Sequence, residues 1–233
     1  MLEFDSLNDL SKDLGGTALT IGKFDAVHLG HQFLLHELLE TAEEHDLSSV
    51  VVTFDRHPLS TLQPGSAPQA IIGQKQKRFH LAQAGVDVLV TLEFDDALAN
   101  LSPEEFVKSI LVDKLNAKFV IVGHGFRFGA NGEGTCELLA QLAQKYSFGF
   151  KELAPFEIDS QVVSATLIRE RLDAGDISGA ERLLGRSHVT TGKVEHGHGL
   201  KIGYYAQEHE SLDFERTILE NMMSATADIR EPE

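Results

Sequence analysis

The chain has 233 residues, 20 basic and 36 acidic, for a formal net charge of −16, with 42% hydrophobic and 24% charged residues. That length holds one large domain or two small ones with a real core, and the composition is globular. A field this negative repels phosphate backbones and anionic membranes, so a general nucleic-acid or membrane binder is excluded; a small phosphorylated ligand at a local basic or amide-lined site is not.

The N-terminal stretch MLEFDSLNDLSKDLGG is acidic and amphipathic. With no basic start and no apolar core it does not resemble a signal peptide, and no window approaches ~18 apolar residues, so a soluble cytoplasmic protein is expected. Thr17–Gly22 reads as a short strand ending in glycine. Gly30–Asp46 follows with apolar residues at helical spacing: Phe33, Leu34, Leu35, Leu38, Leu39 and Ala42. Ser48–Phe54 is a buried-strand pattern. Gln74–Ala84 reads as a helix closed by Gly85, and Val86–Leu92 as a strand. Ser102-Pro103-Glu104-Glu105 is a capping box with proline at the first helical position, opening a helix to about Asn116. Lys118–Gly123 is a strand, Thr135–Tyr146 a helix and Phe148–Leu153 a strand. The only cysteine, Cys136, excludes an intramolecular disulfide framework and multi-cysteine metal sites. The alternation predicts an α/β fold, a doubly wound parallel sheet with helices on both faces.

Ligands of such sheets sit outside the carboxyl ends of the strands. That rule selects three loops: Gly22–Gly30, Phe54–Pro58 and Gly123–Gly134. The first carries His28-Leu29-Gly30-His31 at a strand-to-helix junction, where helix amides and two imidazoles converge on one anion site. Such a site suits nucleotidyl transfer, in which the protein positions the groups and stabilises charge without a covalent nucleophile. The plainer alternative is that both histidines cap and pack. Ser164-Ala165-Thr166-Leu167-Ile168-Arg169 precedes a helix and offers hydroxyls, free amides and a guanidinium to phosphate oxygens, or is a plain N-cap with Arg169 on a solvated face. Gly123-His124-Gly125-Phe126-Arg127-Phe128-Gly129 is spaced G-x-G-x-x-x-G, so a dinucleotide fingerprint is a poor reading. Phe126 and Phe128 serve equally well as packing residues. Phe54-Asp55-Arg56-His57-Pro58 borders a cleft or is a turn ended by proline.

GKFDAVHLGHQ resembles the signature of the adenylyltransferase module of bacterial bifunctional FAD synthetases (riboflavin kinase/FMN adenylyltransferase). The resemblance continues, in order, through Thr53–Pro58, Leu101–Val107, Val122–Gly129, Val163–Arg169 and Leu183–Arg186, covering about residues 10–187. It implies a nucleotidyltransferase domain of the H-x-G-H type over residues 1–187, and the reaction FMN + ATP → FAD + pyrophosphate with Mg²⁺. His28 and His31 are then catalytic. Gly22, Phe24, Asp25, Gly30, Gly123, Phe126, Arg127, Gly129, Ser164, Thr166 and Arg169 meet ATP; Phe54, His57 and Pro58 border the flavin. No protein metal ligands are implied, and the partners are small molecules, with neither nucleic acid nor membrane.

The chain departs from the family pattern at Lys23 (usually Asn or Thr), Ala26 (Gly), Arg56 (Pro), Gly125 (an acid or amide) and Ala165 (a second Ser). Gly125 and Ala165 each remove a polar group from the expected nucleotide site. At ~1.5–3 kcal/mol per hydrogen bond to a charged group, the two losses amount to about two to four decades in turnover if both act in the transition state. Two alternatives therefore stand beside the enzyme: a catalytically impaired flavin- or nucleotide-binding protein, and a nucleotidyltransferase acting on another phosphorylated acceptor. Residues 188–233 do not resemble the riboflavin kinase domain, so that activity is not expected. Thr191–Ala225 instead resembles a fragment of an F-subfamily ABC ATPase, as if two unrelated genes were joined near Gly185–Gly192. His196-Gly197-His198 is a weak metal motif.

Overall fold

A computed structural model describes residues 1–7, 9–10, 14–63 and 65–189. The expectations for Thr191–Ala225 and for His196 and His198 lie outside the described residues, as do all but the first two residues of the short extension expected over 188–233. The described fold belongs to the unit Met1–Val189.

Runs without proline, valine-rich in the three strands β3 to β5, make the sheet: β1 (Leu2–Phe4), β2 (Thr17–Ile21), β3 (Ser48–Phe54), β4 (Val88–Leu92), β5 (Ala117–Gly123) and β6 (Gly149–Leu153). All pair in parallel, in the order β1-β4-β3-β2-β5-β6. From β2 the chain winds outward through β3 and β4, then returns to the other side of β2 as β5. The point of reversal lies between β2 and β5, where a doubly wound sheet opens a crevice for ligands.

The strands look continuously apolar because both faces are covered. Ala18, Val51, Leu89 and Ile121 face one core with Leu35, Leu38, Leu81, Ile168 and Leu184. Leu19, Ile21, Val50, Val52, Val90 and Val122 face the other with Phe106, Leu111 and Leu139. The first face is built by α1 (Leu29–Glu44), α3 (Gln74–Gln83), α7 (Ala165–Asp173) and α8 (Ile177–Leu184); short α2 (Pro58–Leu62) and α4 (Asp96–Ala99) sit in the loops after β3 and β4. The second face carries α5 (Pro103–Glu105), its continuation Phe106–Val112, and α6 (Cys136–Tyr146). A two-stranded hairpin, β7 (Glu157–Ile158) with β8 (Gln161–Val162), leads into α7.

Three features differ from the sequence reading. Leu2–Phe4 is an edge strand, too short and too exposed to show a period. The helix expected from Ser102 to Asn116 opens with the capping box, Ser102 Oγ accepting from Glu105 N at 3.2 Å, and then widens into a π-helix over Phe106–Val112. Asp113 N and Leu115 N bond Lys108 O and Ile110 O, five residues back. The wider turn keeps Val107, Leu111 and Leu115, four residues apart and all buried, in one row facing the sheet. The strand expected from Val86 begins at Val88 because the Asp87 carboxylate is occupied by Ser49, accepting from its N and Oγ at 2.9 and 2.7 Å.

The loop after β5 is tied to the start of this helix. Gly129 has φ +72°, and a Cβ there would lie 2.7 Å from Pro103 N. Ala130 N donates to Leu101 O at 2.7 Å. Replacing Gly129 with alanine adds a left-handed non-glycine residue and a backbone collision, a cost on the order of 1–3 kcal/mol. The expected outcome is a lowered midpoint in thermal unfolding followed by circular dichroism; an unchanged midpoint would contradict this close approach.

Candidate functional site

The loop joining β2 to α1, Gly22–His28, lies at the switch point and is bent sharply. Phe24, Ala26 and Val27 have φ of +48°, +74° and +43°, a left-handed conformation that side chains with a Cβ adopt rarely. Three anchors hold it. The Phe24 ring is fully buried in the core. Thr53 Oγ1 donates to Lys23 O at 3.2 Å. From the turn after α8, the Arg186 guanidinium donates to Ala26 O, and to Val27 O at 2.9 Å. Gln32 Nε2 adds bonds of 2.9 Å to Val27 O and Leu184 O. Gly185 lets the LLGR turn come this close: its φ is +70°, and a Cβ would stand 2.6 Å from Leu29 Cδ2.

The strained loop delivers His28 and His31 together. His28 caps α1, its Nδ1 accepting from His31 N at 3.3 Å. The two rings stack with centroids 3.8 Å apart, and Phe24 packs on His31 at 4.9 Å. His31 Nδ1 is buried and bonds no atom of the described residues. Gly30 brings the segments closer still: a Cβ there would meet the His28 ring at 3.2 Å and Val163 O at 3.3 Å. Val163 precedes Ser164, the N-cap of α7, whose Oγ accepts from Leu167 N at 3.2 Å. The N-termini of α1 and α7 therefore open on one place, and their free amides favour an anion there.

Burial pushes His28 down to about 4, helped by the Arg186 charge, and pushes His31 well below its usual range, helped by His28, Lys77 and Lys23. Both rings are neutral at pH 7 in the free protein. Asp25 organises the other wall. Its carboxylate accepts from Ile71 N at 3.0 Å and from the Arg169 guanidinium, while Arg169 Nε also donates to Gln69 O at 2.8 Å.

Beside this wall runs a cleft of about 220 Å³ lined by residues that include Lys23, Asp25, Phe54, His57, Ile72 and Lys77. Phe54 ends β3 and meets Phe94 edge-on at 5.4 Å. His57 Nδ1 caps α2, accepting from Leu59 N at 3.1 Å, and Pro58 is the first residue of that helix. Lys23 Nζ stands 3.3 Å from His57 Nε2. Among the expected nucleotide residues, Gly22 closes β2 by donating to Val52 O at 3.0 Å, and Gly123 ends β5. Thr166 and Arg127 are exposed. Phe128 is buried and Phe126 stacks on it at 5.7 Å, so both rings pack rather than project. Gly125 has φ +70° with open space around it, and its amide reaches Glu152 Oε1 at 3.4 Å. Ala165 packs against the core.

Sequence reasoning did not assign roles to Arg186, Gln32 or Lys77. Arg186 and Gln32 act across 160 and 152 residues of chain. Lys77 reads as a solvated helix residue yet is only 7% exposed. The LLGR match was the one available signal for the first of these.

A doubly wound sheet with an H-x-G-H pair at its switch point defines a protein of the nucleotidyltransferase type. Residues 10–167 match the model of the FAD synthetase family, and the chain belongs to that family. It is 34% identical over 201 residues to a bifunctional riboflavin kinase/FMN adenylyltransferase of Buchnera aphidicola, covering 85% of this chain and 64% of the relative. The enzyme of the same name from Escherichia coli is 36% identical over 191 residues, covering 81% and 61%. The chain thus spans less than two thirds of the length of these relatives. A crystal structure from Streptococcus pneumoniae, described as a macrolide-efflux protein, is similar with a TM-score of 0.68 and 26% identity, covering 79% of this chain and 60% of that one. Among the described residues no helix is long and apolar enough to cross a membrane.

The depressed His28 fixes the sign of a pH effect. Folding favours its neutral ring, so this stability is complete above pH 6.5 and lost as pH falls toward about 4. The loss is on the order of 3 kcal/mol at ~1.4 kcal/mol per pH unit. Histidine Cε1–H resonances followed by NMR should show His28 titrating near 4; titration near 6.5 would contradict its enclosure. Arg186→Met should leave the Ala26 and Val27 carbonyls without that donor, costing about 1.5–3 kcal/mol in denaturant unfolding, and should raise the His28 pKa. A variant with wild-type stability would show that Arg186 does not hold the loop.

Proposed function

We propose that the chain is an FMN adenylyltransferase that transfers AMP from ATP to FMN, giving FAD and pyrophosphate in flavin cofactor synthesis. The observation that carries this reading is the stacked His28–His31 pair, which lies at the N-terminus of α1 where it meets the N-terminus of α7. An oxygen of the FMN phosphate attacks the α-phosphorus of ATP. The new P–O bond completes the anhydride of FAD as the bond from the α-phosphorus to the bridging oxygen breaks, and pyrophosphate departs with that electron pair.

The protein supplies position and charge in this step and no covalent nucleophile. Imidazole N–H groups of His28 and His31 donate to the α-phosphate oxygens as negative charge gathers on them. Free amides of α1 and α7, with Ser164 and Thr166, take the phosphate chain. Arg169 joins them by exchanging Asp25 for phosphate, both being oxygen anions that fit its fork. Gly22, Gly123 and Gly129 shape the wall against which the nucleotide lies, with Arg127 at its edge. Phe54, His57 and Pro58 border the flavin. Magnesium enters as part of the substrate, carried on the triphosphate; among the described residues no three His, Cys, Asp or Glu side chains are grouped to hold a metal ion of their own. The riboflavin kinase step in the relatives' names is not part of this reading.

The test is formation of FAD from FMN and Mg-ATP by purified protein, resolved by chromatography, with pyrophosphate released in equal amount. His28→Ala should lower kcat by about 10²–10⁴ while the far-ultraviolet circular dichroism stays unchanged, the scale expected for loss of a donor to a developing charge. Folded wild-type protein that makes no FAD, or a His28→Ala variant with full turnover, would refute the proposal.

A further inference from the structure

Two lysines in the cleft, one buried and one exposed, have no carboxylate partner among the described residues. Lys77 extends from α3 into the wall of the cleft and is 7% exposed. Its Nζ has a weak contact with Thr53 Oγ1, at 3.5 Å. Lys23 enters from the strained loop and meets the His57 ring. Among the described residues no carboxylate lies within ion-pair distance of either. The nearby acids are already engaged: Asp25 by Arg169 and the Ile71 amide, Asp55 by Arg56 and by Phe94 N at 2.9 Å. Burying an ammonium without a counter-ion is costly, so the fold bears that cost at Lys77, while Lys23, which lines the same cleft, is exposed to solvent. Desolvation in the cleft lowers both lysine pKa values, with the Arg169 charge adding to the effect at Lys23 and Arg78 adding to it at Lys77, both against the pull of Asp25.

We propose that Lys23 and Lys77 form the seat for the acceptor's phosphate monoester and select a phosphorylated flavin over the unphosphorylated one. This rests on the adenylyl-transfer reading and deepens it. The cleft's remaining walls point to the acceptor rather than to the triphosphate. Phe54, Pro68, Ala70 and Ile72 give it an apolar side suited to a planar ring. The triphosphate has its own donors at the ends of α1 and α7. Lys23 adjoins Phe24, whose ring packs on His31 at 4.9 Å, and the charges of both lysines lower the His31 pKa. A phosphate held by them lies toward the histidine pair, where the attacking oxygen must be. A doubly charged phosphate supplies the missing counter-charge to both ammonium groups at once, and riboflavin, which has none, leaves them bare.

Flavin fluorescence quenching measures Kd for FMN and for riboflavin, and calorimetry measures Kd for Mg-ATP, on the whole chain. Wild-type protein should prefer FMN to riboflavin by tenfold or more. Lys77→Met and Lys23→Thr should each weaken FMN about 10- to 100-fold, the scale of one lost charged hydrogen bond. Riboflavin and Mg-ATP should stay within about twofold, and Lys77→Arg should restore most of the preference. Equal weakening of FMN and riboflavin overturns the proposal in favour of a structural role. Weakening of Mg-ATP alone overturns it in favour of a triphosphate contact. If wild-type protein makes FAD and both variants keep the FMN preference, only the lysine assignment falls. If wild-type protein makes no FAD and binds neither flavin, the adenylyl-transfer reading falls with it.

Discussion

The molecule turns on a backbone bend that its own side chains resist. Three residues with a Cβ, Phe24, Ala26 and Val27, occupy left-handed conformations within four positions. Each costs on the order of 1 kcal/mol or more, so the bend persists only because the surroundings over-determine it. A buried ring, a guanidinium and an amide side chain do so, and they come from three parts of the chain. The product of that strain is positional: two imidazoles stacked at a helix start, close to a second helix start.

Electrostatics repeats the pattern on a larger scale. A chain of net charge −16 would be a poor host for phosphates if its field were uniform. Here the acids around the cleft are spent on internal partners, Asp25 on Arg169 and Asp55 on Arg56. Two of the cations that line the cleft, Lys23 and Lys77, are without such partners among the described residues. The local sign of the site is therefore opposite to that of the molecule, and the low-dielectric walls confine it.

Much of this was legible in the sequence, for identifiable reasons. Ser48–Phe54 and the strand ending at Gly123 are valine-rich runs bounded by turn residues, and both form as expected. The H-x-G-H loop stands out because glycine and histidine at a strand end have few structural uses. What stayed hidden depends on sequence-distant contacts. The first strand has three residues and needs Val88–Val90 beside it to exist. The π turn at Phe106–Val112 shows the same apolar spacing as an α-helix and differs only in its backbone bonds. Lys77 looks like any exposed lysine of a polar helix until the helix docks. Ala26, conversely, departs from the family's glycine at a position whose φ is +74°, so the conformational demand is visible as a departure but its tolerance is not.

The Arg186 clamp also bears on when the site comes into being. Its partners Ala26 and Val27 lie 160 and 159 residues earlier. The sheet and α1 can begin to assemble while a nascent chain is still leaving the ribosome, since N-terminal parts fold first during synthesis. The loop cannot take its final bend until α8 and the residue after its closing glycine have emerged and docked. Translation therefore has a late checkpoint: a chain stopped short of Arg186 can own most of a core and still lack the geometry that puts His28 against His31.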